Sequence, residues 1–269
     1  MAIKFYKYQG TGNDFIIIDE HNFKLEKSFP DHQKTIKNLC DRKFGIGADG
    51  LILLQKSKSH NFKMKYYNSD GKEGTMCGNG GRCIAAFAHH KGYAPETMTF
   101  EAIDGIHEAQ VISSKQFVEA EVKIKLNDVT GYQKINNTFF IDTGSPHYVK
   151  FVDNLKTYDV IKNGRKIRNS DKYKPDGTNV NFVELSSRKI FVRTFERGVE
   201  NETLSCGTGV AASAIALFLK GIRKKSYKVY TAGGSLSVTF NTDNESGSIE
   251  NLWLQGPANY VFSGEIAIF

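Results

Sequence analysis

Long apolar runs are missing from this 269-residue chain. No stretch approaches the ~18 apolar residues that a membrane span needs, and the opening MAIKFYKYQGTGNDF has no apolar leader core. A soluble, cytoplasmic protein with no membrane partner is expected. Low-complexity tracts are missing as well. With 40% hydrophobic and 24% charged residues, the chain can bury a sizeable core, and its length suits one large domain or two ordinary ones. Cysteine is scarce: Cys40, Cys77, Cys83 and Cys206. So few thiols in a cytoplasmic chain do not make a disulfide framework. No C-x₂-C occurs and no histidine pair follows one at zinc-site spacing, so no metal site is expected. A Walker A motif is also absent. Gly45-Ile46-Gly47-Ala48-Asp49-Gly50 matches G-x-G-x-x-G, but that fingerprint works only between a strand and a following helix. Here a helical pattern precedes it and the strand-like Leu51-Ile52-Leu53-Leu54 follows, which excludes a dinucleotide site.

The net charge of +7 raises the question of nucleic acid. The basic residues are dispersed, however, in runs no longer than Arg223-Lys224-Lys225, and no nucleic-acid-binding motif accompanies them. A solvated basic surface, with no nucleic-acid partner, is the reading that follows.

What is present is an internal repeat. FKMKYYNSDGKEGTMCGNGGRCIAAFAHHKG runs from Phe62 to Gly92, and IFVRTFERGVENETLSCGTGVAASAIALFLKG from Ile190 to Gly221. Each copy reads as a strand, a polar turn, Cys-Gly-x-Gly, and a helix that stops at a glycine fifteen positions after the cysteine. The second helix is apolar around nearly its whole circumference from Val210 to Leu219, so other elements must enclose it. Elsewhere short alternating runs predict strands, among them 117–126 and 236–240. A third helix is predicted from about Pro30 to Phe44, with Ile36, Leu39, Cys40 and Phe44 on one face and Gly45 as its stop. Together these predict an α+β protein of two pseudo-symmetric domains, each a mostly antiparallel sheet or barrel around a central helix. The expected halves are 1–130, completed by a returning last strand at about 262–269, and 131–261. The two Cys-Gly-x-Gly turns are expected to face one another.

Cys77-Gly78-Asn79-Gly80 and Cys206-Gly207-Thr208-Gly209 carry the chemistry. A cysteine before a helix start lies in positive potential that favours the thiolate. The glycines and the free N–H groups of the first turn can hold a carboxylate. Two such turns brought to one amino acid would place a sulfur on either side of its α-carbon, which suits inversion of a stereocentre. Cys40 and Cys83 lack this motif and read as core.

Further polar clusters are Gly10 to Phe15, Asn68 to Gly71, Gly144 to His147, Gly177 to Phe182, and Glu196-Arg197-Gly198. In order and spacing these clusters and the two cysteine turns resemble the diaminopimelate epimerase family over nearly the whole chain. Cys-Gly-x-Gly alone is shared with proline racemases. The resemblance implies interconversion of LL- and meso-2,6-diaminopimelate in lysine biosynthesis, without pyridoxal phosphate or any other cofactor, by a homodimeric isomerase whose partner is a small-molecule substrate. It implies Cys77 and Cys206 as the acid/base pair, supported by His147 and Glu196. The N–H groups of Gly78, Asn79, Gly207 and Thr208 would bind the reacting carboxylate. Asn13, Asn68, Asn179, Glu196 and Arg197 would recognise the distal centre. A proline or hydroxyproline racemase of the same fold is the alternative. Two positions depart from the family pattern: Ser145 stands where an Asn is frequent, and Gly50 where some members have Gln.

Overall fold

In the computed structural model, residues 2–21, 24–29, 31–243 and 245–267 are described. The chain divides into two compact units, Met1–Ile124 with Gly256–Phe269, and Lys125–Gln255. The first holds β1 (Ala2–Gly10), β2 (Asn13–Asp19), α1 (Leu25–Ser28), α2 (His32–Cys40), β3 (Gly50–Gln55), β4 (Phe62–Asn68), β5 (Glu73–Gly74), α3 (Gly78–His90), β6 (Thr97–Ala102), β7 (Gly105–Lys115) and β8 (Glu119–Lys125). The second holds β9 (Tyr132–Ile135), β10 (Thr138–Asp142), β11 (Pro146–Phe151), α4 (Val160–Arg168), β12 (Asn179–Ser186), β13 (Lys189–Glu196), β14 (Asn201–Thr203), α5 (Gly207–Leu219), β15 (Tyr227–Thr231) and β16 (Gly234–Thr242). The last strand, β17 (Ile249–Ala267), belongs to the second unit in its first third and to the first unit thereafter.

In the first unit the strands close on themselves. β1 pairs with β2 antiparallel, β2 with β3 parallel, β3 with β4 antiparallel, and β4 with β6 parallel. β6, β7 and β8 follow antiparallel, and the later part of β17 joins β8 back to β1. The result is an eight-stranded barrel with no free edge. The second unit repeats the pattern: β10–β11 antiparallel, β11–β12 parallel, β12–β13 antiparallel, β13–β15 parallel, β15–β16 antiparallel. Residues 249–255 of β17 then add to β16.

Each sheet wraps one helix. α3 touches β1, β2, β3, β4 and β7, and α5 touches β10 to β13, β15 and β16. Their sequences suit enclosure, because alanines at 85, 86 and 88, and at 211, 212, 214 and 216, let strands approach closely from every side. Both helices end alike. Gly92 and Gly221 take positive φ, and the following Tyr93 and Ile222 donate back to Ala88 and Leu217. This is the Schellman arrangement, which glycine adopts without the steric penalty of a Cβ. Among the described residues no helix is long and apolar enough to cross a membrane.

One expectation fails. α2 stops at Cys40, not Phe44, and Phe44 is 92% exposed while Ile36, Leu39 and Cys40 are buried. The cause is Asp41, whose carboxylate accepts from the backbone N–H groups of Lys43 and Phe44 at 2.7 and 2.8 Å. This local turn outcompetes another helical turn. At the other end Asp31 caps the helix by accepting from Lys34 N at 3.1 Å. The expected start at Pro30 lies outside the described residues.

Candidate active site

Cys77 and Cys206 are the N-cap residues of α3 and α5, each with extended backbone. Their carbonyls accept the first helical bonds, from Gly81 N at 2.7 Å and Val210 N at 2.9 Å. By helix geometry the N–H groups of residues 78 to 80 and 207 to 209 then have no acceptor one turn back, and beside each sulfur they form the positive end of a buried helix. Cys40 and Cys83 lie in the core, where burial pushes both thiols up to about 12. That makes them inert hydrophobes.

In the first unit, Asn13, Cys77 and Asn79 come together. The Cys77 sulfur faces Asn13 Oδ1 at 3.6 Å, and Asn79 Nδ2 donates to the same oxygen at 3.3 Å. The Asn13 amide has one possible orientation, because its Nδ2 donates to the Asp49 carboxylate at 2.7 Å and a carboxylate can only accept. Asp49 is itself held by Arg42, which also grips Asp14 with two hydrogen bonds. Lys7 completes the network by pairing with Asp14 and donating to Gly47 O. These cations hold the Asp14 carboxyl below the usual range, against the opposing effect of its burial. In the first turns of α3 itself, the buried Arg82 bonds to Gly78 O, to Asn79 Oδ1 at 2.9 Å and to Pro257 O. Asn68 stands apart from this cluster at the end of β4, its Oδ1 accepting from the Tyr66 hydroxyl at 3.0 Å. Asn68 lies opposite Gly50, and a Cβ at Gly50 would come within 2.5 Å of Tyr66 Cε2. Tyr66 therefore fills the space that a larger residue at position 50 would need.

In the second unit, Ser145, His147, Asn179, Cys206 and Thr208 form one network. His147 Nε2 lies 2.9 Å from Thr208 Oγ1 and 3.0 Å from Ser145 Oγ, and Thr208 Oγ1 lies 3.5 Å from the Cys206 sulfur. Burial, reinforced by the Arg197 charge, pushes His147 down to about 3, so the ring is neutral near pH 7. Asn181 donates to His147 Nδ1 at 3.0 Å. Glu196 accepts from the Thr203 hydroxyl at 2.9 Å, and the Arg197 N–H donates to Asn179 Oδ1. Ser145 reaches its partners directly. Gly207 opens α5, as Gly78 opens α3.

Asp49, Tyr66, Asn181 and the side chain of Thr208 were not among the residues expected from sequence. Asp49 and Asn181 lie within the Gly45–Gly50 and Gly177–Phe182 motifs of the sequence. Their importance comes from strand register, which no spacing along the chain reveals.

The profile of the family described as diaminopimelate epimerase matches residues 5–124 and 139–261. This chain belongs to the diaminopimelate epimerase family. It is 48% identical over 266 residues to a diaminopimelate epimerase of Flavobacterium psychrophilum, covering 98% of this chain and 100% of that one. It is 38% identical to a diaminopimelate epimerase of Aquifex aeolicus, covering 98% of each. Among solved structures, a Bacillus anthracis phenazine biosynthesis protein of the PhzF family superposes with a TM-score of 0.78 at 16% identity, covering 100% of both chains. A hydroxyproline epimerase from Agrobacterium vitis, with bound trans-4-hydroxy-L-proline, gives 0.70 at 14% identity, covering 99% of this chain and 93% of that one. At such identities these two share the fold alone.

Proposed function

We propose that this chain interconverts LL- and meso-2,6-diaminopimelate, with Cys77 and Cys206 as the acid/base pair and no cofactor. The observation that carries the reading is the placement of one cysteine at the N-cap of each unit's central helix, at matching positions of a duplicated Cys-Gly-x-Gly, in a chain of this family. One sulfur, as thiolate, removes the α-proton and becomes a thiol. The negative charge that develops spreads into the α-carboxylate, where N–H groups of Gly78, Asn79, Gly207 and Thr208 stabilise it. The other sulfur, as thiol, delivers its proton to the opposite face and becomes the thiolate. Asn13, Asn68, Asn179, Glu196 and Arg197 recognise the distal amino-acid head, while His147 and Glu196 support the proton chemistry. A cytoplasmic homodimer is part of the same reading, and light scattering tests its oligomeric state.

A positioned acid or base contributes ~10²–10⁴-fold to rate. Cys77→Ala and Cys206→Ala should each lose at least that in turnover while keeping the wild-type circular dichroism spectrum. In deuterated water the product should carry label at the inverted carbon from the earliest turnovers. Unlabelled product, or near-normal turnover by either variant, would sink the two-sulfur reaction. Proline and hydroxyproline assayed alongside diaminopimelate separate the substrate assignment from the chemistry. Turnover of those substrates alone would favour the alternative.

A further inference from the structure

Around Cys206 the direction of each hydrogen bond follows from groups that cannot exchange roles. Asn179 Oδ1 accepts from the Arg197 backbone N–H at 2.9 Å, and its Nδ2 faces the Pro146 carbonyl at 3.2 Å. That amide cannot turn over, so Nδ2 is also what Ser145 Oγ meets at 3.4 Å. Asn181 Nδ2 faces the Tyr148 carbonyl at 3.3 Å, so the same nitrogen donates to His147 Nδ1. Nδ1 is then the bare nitrogen of the neutral ring, and Nε2 carries the hydrogen. That hydrogen points at Thr208 Oγ1 and Ser145 Oγ. With Asn179 Nδ2 and His147 Nε2 both facing Ser145 Oγ, its two acceptor positions are taken, which leaves its own hydrogen for Thr208 Oγ1, 3.3 Å away. Thr143 pins the Thr208 backbone by donating to its carbonyl at 3.0 Å. Every neighbour of the Thr208 hydroxyl is thus a donor except one. Its own hydrogen has the Cys206 sulfur left to meet, at 3.5 Å, an ordinary distance for a hydrogen bond to sulfur.

We infer that the Thr208 side-chain hydroxyl donates to the Cys206 sulfur and holds it as the resting thiolate, with His147 acting on that sulfur through Thr208. A hydrogen bond given to the charged form favours that form. Among the described residues of the second unit, the charged groups at the strand ends around this network are Asp142 on β10, whose carboxylate accepts from Gly144 N at 2.9 Å, Glu196 at the end of β13, engaged with Thr203, and Arg197 after it, whose charge helps keep His147 neutral. His147 is then a positioning residue that never takes the substrate proton, and Cys206 is the base that meets the first substrate. The inference takes Cys206 to be one of the acid/base pair proposed above.

The test is alkylation of the reduced full-length enzyme by iodoacetamide without substrate, with each cysteine followed by mass spectrometry from pH 5 to 10. Thr208→Val should raise the pH of half-maximal Cys206 alkylation by about one unit, equivalent to roughly tenfold slower reaction below the midpoint. Thr208→Ser should restore it, and the Cys77 profile should stay put. Ser145→Ala, which leaves the helix untouched, should raise the Cys206 midpoint by less. A Cys206 midpoint unmoved in Thr208→Val and Ser145→Ala, or one that Thr208→Ser does not restore, overturns the assignment. Alkylation reads the resting proton and deuterium incorporation reads the reaction, so either idea can fail without the other.

Discussion

The floors beneath the two central helices occupy the same place in the fold and are built from opposite chemistry. A Cβ added at Gly80, the last residue of the first Cys-Gly-x-Gly, would meet Ile52, Phe15 and Met64 at 3.3 to 3.5 Å. At Gly209 it would strike Asn181 Oδ1 at 2.2 Å and reach His147 Cε1 at 3.3 Å. Strand register shows these neighbours to be counterparts. Phe15 pairs with Gly50 and Ile17 with Ile52 across β2 and β3, as His147 pairs with Asn179 and Val149 with Asn181 across β11 and β12. One unit therefore supports its helix on hydrocarbon and the other on a neutral imidazole and an amide. The two sulfurs differ accordingly. Cys77 faces an amide oxygen, which can only accept, and Cys206 faces a hydroxyl. Duplication supplied two alike helix starts, and divergence around them gave each sulfur a different polar neighbour.

The sharpest way to break this comparison is to fill both floors. Gly209→Ala pushes against an Asn181 side chain pinned by the Tyr148 carbonyl and the Thr194 hydroxyl. It should cost about 2 to 3 kcal/mol by urea unfolding. Gly80→Ala meets flexible side-chain ends and should cost less than about 1 kcal/mol. Equal losses would show the floors to be equivalent. Next in size is the amide lock of the first unit. Asp49→Ala frees the Asn13 amide to turn its nitrogen toward Cys77, and kcat should fall about tenfold, ~1.4 kcal/mol of barrier. An unchanged kcat would remove Asp49 from any role.

A smaller effect comes from acid. Burial pushes one histidine in each unit well down, His147 to about 3 and His90 to about 4, the latter lying between Tyr8 and Ser114. An unfolded histidine takes up its proton near pH 6.5, so the unfolded chain binds protons that the fold refuses. Stability is complete above that pH and should decline as pH falls from about 6.5 toward 4, by at most ~1.4 kcal/mol per pH unit for each histidine. Urea midpoints measured across this range test it, and a flat profile would contradict the neutral rings. Smallest of all, Phe44→Ser should move stability by no more than about 0.5 kcal/mol, because that ring already lies in solvent.

The repeat made the central helices legible. Their all-round apolar character, the cysteines before them and the glycines after them are local facts, and caps and Schellman turns are decided within a few residues. The end of α2 was equally local, but its signal, an aspartate able to bond two backbone N–H groups ahead of it, competed with a hydrophobic spacing that ran on to Phe44. Asp49 and Tyr66 were not legible, because Asp49 matters only where the turn before β3 meets Asn13 and Tyr66 only where β3 and β4 align. Asn181 and the Thr208 hydroxyl depend likewise on the pairing of β11 with β12 beneath α5.

By itself the sequence determined the two helices, their cysteine N-caps and their ends, because backbone capping and hydrophobic periodicity act over one or two turns of chain. Tertiary structure alone decided that Cys77 meets the Asn13 oxygen and that Thr143, Ser145 and His147 hold the Thr208 residue beside Cys206. Those contacts join residues 61 to 65 positions apart in the chain, and only the packing of strands against a helix sets them.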